Sequence, residues 1–303
     1  MNLAPISLFT YKRVNSLKET IGTLKSNFLA PDSELYIFSD GSKDEEDKQQ
    51  VELVRDYLKS ISGFKKIIIY ESAENKGLAK SIIEGTTKII NQYGKVIVLE
   101  DDLLTTPNFL NFMNEALNKY ENELKVFSIS GYSFNLKSDK TKLNSDSYFL
   151  NRGWSWGWAT WAQRWLQVDW NVKDYEEFRN NRKSRKLFAE GGSDLNSMLD
   201  KQMKGVLDSW AIRWFFNQYK LSGYTLYPYY SKIYYNGFDR DATHTNGSPS
   251  RYIPILDKKY STKFLFPSEI TINQNCQHKF QSKMGVMARV KSKIQTLFTK
   301  YIK

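Results

Sequence analysis

The chain has 303 residues, of which 41% are hydrophobic and 25% charged, an ordinary globular balance that allows one sizeable α/β domain with an extension. One cysteine, Cys276, and two histidines exclude an intramolecular disulfide, a cysteine zinc cluster and a histidine-rich metal site. The formal net charge is +11, but seven of those charges fall in residues 279–303, which hold no acid, so the charge is a tail property and no nucleic-acid partner is expected.

Four short apolar runs, Ile6–Phe9, Leu35–Phe38, Ile67–Tyr70 and Val96–Leu99, are nearly continuous in apolar character, as parallel strands buried on both faces must be. Between them lie helix-spaced sets: Val14, Leu17, Ile21, Leu24 and Phe28; Val54, Leu58 and Ile61; Leu78, Ile82, Thr86 and Ile89. A further helix is predicted over Phe109–Tyr120 and a fifth strand over Val126–Ser130. After residue 150 the chain turns rich in Trp and Tyr, with the run Arg152–Trp161 leading into a helix-like stretch. A charged linker is expected near 171–187, then helices around 194–205 and 208–221, then extended chain over Tyr224–Asn236. The division that follows is 1–130, an α/β half; 131–278, a second half of the same domain; and 279–303, a basic amphipathic tail.

In a parallel sheet of this type a ligand lies beyond the carboxyl ends of the strands, so the residues just after each apolar run carry the argument. The strand over Val96–Leu99 ends in Glu100, Asp101 and Asp102. Divalent cations prefer oxygen donors, and nucleotide sites commonly hold the ion with one or two carboxylates plus the substrate phosphates. The rival reading is a solvated acidic turn. Asp40 and Gly41 follow the second strand, either as a hydrogen-bonding carboxylate or as a plain Asp-Gly turn. Asn75, Lys76 and Gly77 open a helix, whose free N–H groups attract phosphate.

Taken in order, Phe9-Thr10-Tyr11-Lys12-Arg13, Phe38 to Ser42, Asn75 to Leu78 and Leu99 to Asp102 resemble the donor-binding half of the GT-A glycosyltransferases. The Glu-Asp-Asp form is similar to the inverting N-acetylglucosaminyltransferase I type and its bacterial polysaccharide-biosynthesis relatives. The fold this implies is α/β, a Rossmann-like, mostly parallel sheet flanked by helices, with a Trp/Tyr-rich acceptor side and a C-terminal amphipathic helix. The resemblance makes Asp102 a direct ligand of Mn²⁺ or Mg²⁺ and puts Glu100 and Asp101 on the donor ribose or sugar. It puts Asp40 on the nucleobase, most often uracil, beside Thr10, Tyr11 and Arg13, with Asn75 and Lys76 near the ribose or diphosphate. Asp208 matches the position of the general base in inverting members; as a sequence feature it reads equally as a helix N-cap. The segment Tyr235 to His244 is similar to the loop that closes over the donor, with His244 a diphosphate or metal contact or a structural residue. Trp154, Trp156 and Trp158 either stack on sugar or pack, and sequence does not separate them.

The expected activity is metal-dependent, inverting transfer of a sugar from a nucleotide diphosphate donor, UDP-linked in the first instance, to a glycan or lipid-linked glycan in surface polysaccharide assembly. A sugar-phosphate nucleotidyltransferase would carry a Gly-rich basic loop after the first strand, where Thr10–Arg13 runs straight into a helix. A non-catalytic glycan-binding protein would explain the aromatics but not the strand-end acids. No run approaches the roughly 20 apolar residues that cross a bilayer, and no signal segment is evident, so a cytoplasmic protein is expected. Met284, Met287, Val290, Ile294, Leu297, Phe298 and Ile302 form an apolar stripe interleaved with Lys and Arg, which suits an anionic membrane surface or a docking partner.

Overall fold

The computed structural model describes residues 2–136, 144–237, 249–291 and 294. In chain order it forms β1 (Ile6–Thr10), α1 (Val14–Lys25), β2 (Glu34–Ser39), α2 (Glu45–Leu58), β3 (Lys66–Glu71), α3 (Leu78–Tyr93), β4 (Lys95–Glu100) and β5 (Leu103–Thr105). Then come α4 (Phe109–Lys119), β6 (Val126–Ser130), β7 (Ser147–Leu150), β8 (Trp158–Trp161), α5 (Ala162–Trp165), α6 (Tyr175–Asn180) and α7 (Arg182–Ala189). The chain continues through α8 (Leu195–Met203), α9 (Trp210–Lys220), β9 (Tyr224–Pro228), β10 (Ile233–Tyr235) and α10 (Gln274–Met284).

Eight strands make one sheet in the order β3-β2-β1-β4-β8-β6-β9-β7, and β10 pairs with β5 in a separate two-stranded ribbon. β1 to β4 are mutually parallel, whereas β8 enters antiparallel between β4 and β6. The sheet is therefore mixed beyond β4, and it runs without a break across residue 130, where the two expected halves meet.

Strand alternation assigns each side chain to a face. Ile6, Leu8, Leu35, Ile37, Ile97 and Leu99 pack with Leu17, Ile21 and Leu24 of α1, Val54 and Leu58 of α2, and the buried face of α4. Phe9, Tyr36, Val96 and Val98 point the other way, into the cluster formed by Ala79, Ile82, Ile89 and Ile90 of α3, Leu195 and Leu199 of α8 and the aromatic face of α9. Both faces are covered, which is why these strands read as unbroken apolar runs.

Three expectations change and one gains detail. Residues 171–187 are not a linker, because Tyr175, Phe178 and Phe188 bury into the core and make two short helices, α6 and α7, out of a charged stretch. Arg185 fastens them, making two 2.9 Å hydrogen bonds to Asp200 of α8. The stretch 224–236 is extended as expected and divides into two strands, since β9 joins the large sheet and β10 leaves to pair with β5. Phe28 lies beyond the end of α1 and is exposed. The segment 279–303 is not a free tail from its start, because α10 begins at Gln274 and buries Cys276, Phe280 and Met284 in the core.

Arg152, buried ahead of β8, makes hydrogen bonds of 2.7 and 3.0 Å to the two oxygens of Asp194. Truncating one member of a buried pair strands the other charge, at a cost of about 3–5 kcal/mol. Asp194→Ala should lower the unfolding free energy by that amount in a denaturant titration, and a loss below about 1 kcal/mol would mean that water reaches Arg152. Among the described residues no helix is long and apolar enough to cross a membrane.

Candidate active site

The register of β1 against β2 and β4 sets Thr10 opposite Ser39, and Phe9 opposite Glu100, so three strands finish at one level and their following residues converge. Asp101 stands at the centre. Its Oδ2 accepts from the Thr10 hydroxyl at 2.9 Å and from the Tyr11 N–H at 3.3 Å. Its Oδ1 accepts from the Arg13 guanidinium at 2.5 Å, and the same Nη2 reaches Asp102 Oδ2 at 2.8 Å. Ser16 donates to the Asp101 carbonyl at 2.8 Å.

Asp102 leads directly into β5, and the β5–β10 ribbon brings Asn236 back beside it, where the Asn236 N–H donates to the Asp102 carbonyl at 2.9 Å. The glycine that follows is required by space, because a Cβ on Gly237 would stand 2.5 Å from Asp102 Oδ2. Tyr235 donates its hydroxyl to the Gly237 carbonyl at 2.9 Å and stacks on Trp156 with ring centroids 4.2 Å apart.

Asp40 faces the same rim but is engaged on both oxygens. Oδ1 accepts from Gly41 and Lys76 N–H at 3.0 and 2.9 Å, and Oδ2 accepts from Gly77 N–H at 2.9 Å. Asn75 donates to the Gly41 carbonyl at 2.8 Å. The two loops lie so close that a Cβ on Gly41 would sit 2.5 Å from the Glu74 carbonyl carbon. Asp40, Asn75 and Lys76 are thus brought together, as a carboxylate that ties down the start of α3. Tyr11 and Lys12 turn outward to Asp47, each at 2.5 Å, and burial together with that carboxylate pushes the Tyr11 hydroxyl up to about 12.

Three acids share one guanidinium here, and the imbalance shows in their protonation. Burial first, and then Asp102 and Asp101, push Glu100 up to about 8. Burial and Asp101 push Asp102 up to about 6 although Arg13 pulls against them. Burial disfavours the Arg13 charge, but Asp101 and Asp102 outweigh it and hold the proton more tightly than usual. Among the described residues no group of three or more His, Cys, Asp or Glu is placed to hold a metal ion by itself. An open edge of hard oxygen donors short of positive charge nevertheless fits a divalent cation of the Mg²⁺ or Mn²⁺ type, which keeps positions for phosphate oxygens.

The same imbalance gives a pH dependence. Glu100 and Asp102 hold protons above their ordinary values of 4.5 and 3.8, so between those values and about 8 the folded chain binds more protons than the unfolded one. Stability of the metal-free protein then falls as pH rises through that window. Thermal unfolding without divalent cation should show this slope, and Glu100→Gln should flatten it; an unchanged slope in the variant would remove Glu100 as its source.

Asp208 reaches the rim by topology. β4, β6 and β9 point one way, and α9 returns to β9 through residues 221–223, so α9 starts at the end where β4 finishes. The helix cap is Ser209, whose hydroxyl accepts from Ile212 N–H, and not Asp208. Asp208 stands one residue earlier with a side chain 69% exposed, its Oδ1 3.2 Å from Arg213 Nη2. Arg213 also bonds the Ser209 carbonyl at 3.2 Å, so one guanidinium positions the turn.

The three tryptophans separate. Trp158 is 1% exposed with its ring against Trp165, Trp210 and Trp214, so it has no face for a sugar and is a packing residue. Trp154 is buried against Tyr132 and Phe134. Trp156 is half-buried and, through Tyr235, nearest the acids. His244 lies outside the described residues. Sequence reasoning did not find Ser16 or Asp47, whereas Asn236 and Gly237 fall at the start of the Tyr235 to His244 segment that it singled out.

The sequence profile of the family described as "Glycosyl transferase family 2" matches residues 6–191. The alpha-1,3-mannosyl-glycoprotein 2-beta-N-acetylglucosaminyltransferase of Arabidopsis thaliana is 24% identical over 176 residues, 52% of this chain and 38% of that protein. The chain therefore spans well under half of that relative's length. Among solved structures, the mannosyltransferase PcManGT from Pyrobaculum calidifontis in complex with GDP-Man and Mn²⁺ aligns with a TM-score of 0.32 and 13% identity, over 45% of this chain and 39% of that one. S. aureus TarS aligns with a TM-score of 0.29 and 14% identity, over 42% and 21%. Overlaps that slight carry nothing about chemistry.

Proposed function

The chain belongs to glycosyl transferase family 2, whose profile covers more than half of it, and from that premise we propose that it is an inverting, metal-dependent transferase of a sugar from a UDP donor. The acceptor is a hydroxyl of a glycan or lipid-linked glycan, and the product is a bond of a surface polysaccharide. The observation that carries the reading is the convergence of Glu100, Asp101 and Asp102 with Arg13 at the strand ends, on the rim where α9 begins.

In this reading Asp102 holds the cation and Arg13 keeps Asp101 and Asp102 oriented. Thr10 and Tyr11 lie with Asp40 on the nucleoside side. Asn75 and Lys76, held beside Asp40, lie near the ribose or diphosphate. A bound divalent cation supplies stabilisation of the negative charge that develops on the diphosphate. Asp208 takes the proton from the acceptor hydroxyl as its oxygen bonds to the anomeric carbon. The bond from that carbon to the diphosphate oxygen breaks on the opposite side, and the electron pair leaves with UDP. Configuration inverts, so an α-linked donor gives a β-linked product. The Arabidopsis relative, by name a 2-beta-N-acetylglucosaminyltransferase, supports that outcome. Trp156 offers the aromatic face nearest the acids for the acceptor.

Titration calorimetry with UDP, GDP and CMP, in Mn²⁺ and in chelator, tests the donor side. UDP alone should bind, and only with the metal. Equal binding of all three, or binding undiminished by chelator, would refute it.

A further inference from the structure

We propose that the segment following α10 is a docking surface for an anionic lipid membrane; this deepens the reading above, since it specifies that the acceptor glycan is carried on lipid. α10 itself is fastened to the body. Cys276, Phe280 and Met284 are buried, Gln277 donates to Asn151 Oδ1 and to the Glu190 carbonyl at 2.9 Å each, and Ser193 donates to the Met284 carbonyl at 2.7 Å.

At Gly285 the backbone turns extended, and a new helical stretch runs over 286–291 with Arg289 near Ser193 at 3.5 Å. Beyond that anchor the apolar side chains face water: Val286 is 64% exposed, Met287 83%, Val290 46% and Ile294 47%. Met287, Val290 and Ile294 recur at helical spacing and form one stripe. Arg289 and Lys291 lie on the same segment, Lys279 and Lys283 on α10 just before it, and no Asp or Glu occurs from residue 270 onward. An apolar stripe flanked only by cations is complementary to one surface, hydrocarbon beneath anionic headgroups.

The placement also gives this surface a fixed relation to the acids. Phe280 packs on Phe134 at 5.1 Å between ring centroids, Phe134 on Trp154 at 4.7 Å, and Trp154 on Trp156 at 5.3 Å. Trp156 in turn stacks on Tyr235, beside Gly237 and Asp102. A membrane that holds the 286–294 stretch therefore holds the acceptor side of the site at a set height above the headgroups.

The test is co-sedimentation of the full chain with vesicles of phosphatidylcholine mixed with phosphatidylglycerol, against vesicles of phosphatidylcholine alone. Wild type should bind the mixed vesicles, be released by raised salt, and bind the neutral ones at least about tenfold less. The triple variant Met287→Ser, Val290→Ser, Ile294→Ser should lose about tenfold or more on the mixed vesicles. Lys291→Glu should weaken binding severalfold. UDP titration of each variant should match wild type, which certifies the fold and separates this inference from the donor reading. Binding that is equal on both vesicles, or unchanged in the triple variant, overturns the proposal. So does sedimentation as a dimer that the triple variant converts to monomer, because a second copy would then cover the stripe.

Discussion

Asp102→Asn is expected to abolish metal-supported UDP binding and to lower transfer by at least about a thousandfold. The substitution keeps size and hydrogen-bonding capacity, so the pair with Arg13 and the close approach to Gly237 persist, while the charge that would hold the cation is gone. In the metal-free protein this carboxylate is held ionised against burial and against Asp101. The variant should therefore melt no lower than wild type, and activity and stability separate. Calorimetry with UDP and Mn²⁺ and a thermal melt on the same sample check both. Metal-dependent UDP binding at wild-type strength would move the cation off Asp102.

Asp208→Asn should leave UDP binding and the donor KM unchanged and lower kcat by about a hundred- to ten-thousandfold, the range of a lost general base. The residue is exposed and its structural role is slight, because Ser209 caps α9. A folding defect is therefore not the expected source of the loss. A fall of less than tenfold, or an α-linked product from an α-linked donor, would assign the proton transfer elsewhere.

Residues that bury on both sides of the sheet were the legible ones. Ile6–Phe9, Leu35–Phe38, Val96–Leu99 and Val126–Ser130 were readable because burial on both sides keeps such runs mostly apolar, and Ile67–Tyr70, half-buried on the edge strand β3, because its run is apolar throughout. The same logic located the acids, since a ligand site in such a sheet must follow the strands. What failed was short or charged. α6 and α7 take few apolar residues and depend on contacts with α8 and α9 far along the chain. β5 and β10 are three residues each, below any detectable period, yet they set Asn236 and Gly237 against Asp102. Trp156 and Trp158 are two residues apart and would share a face in a continuous strand, but Trp156 precedes β8 and Gly157, at φ +61°, turns the chain between them, a break that composition does not encode.

The antiparallel insertion of β8 has a consequence for how the chain comes to be folded. Synthesis completes β1 to β4 by residue 100, and their pairings with one another are all available then. The outer edge of β4 is not. Val96, Ile97 and Val98 wait for Thr160, Ala159 and Trp158, made some sixty residues later, and until then the nascent protein shows an unpaired apolar strand edge, a template for aggregation. Chains ended between residues 100 and 158 should accordingly collect in the insoluble fraction, while the indole-rich strand at 158–161 acts as a plug delivered late.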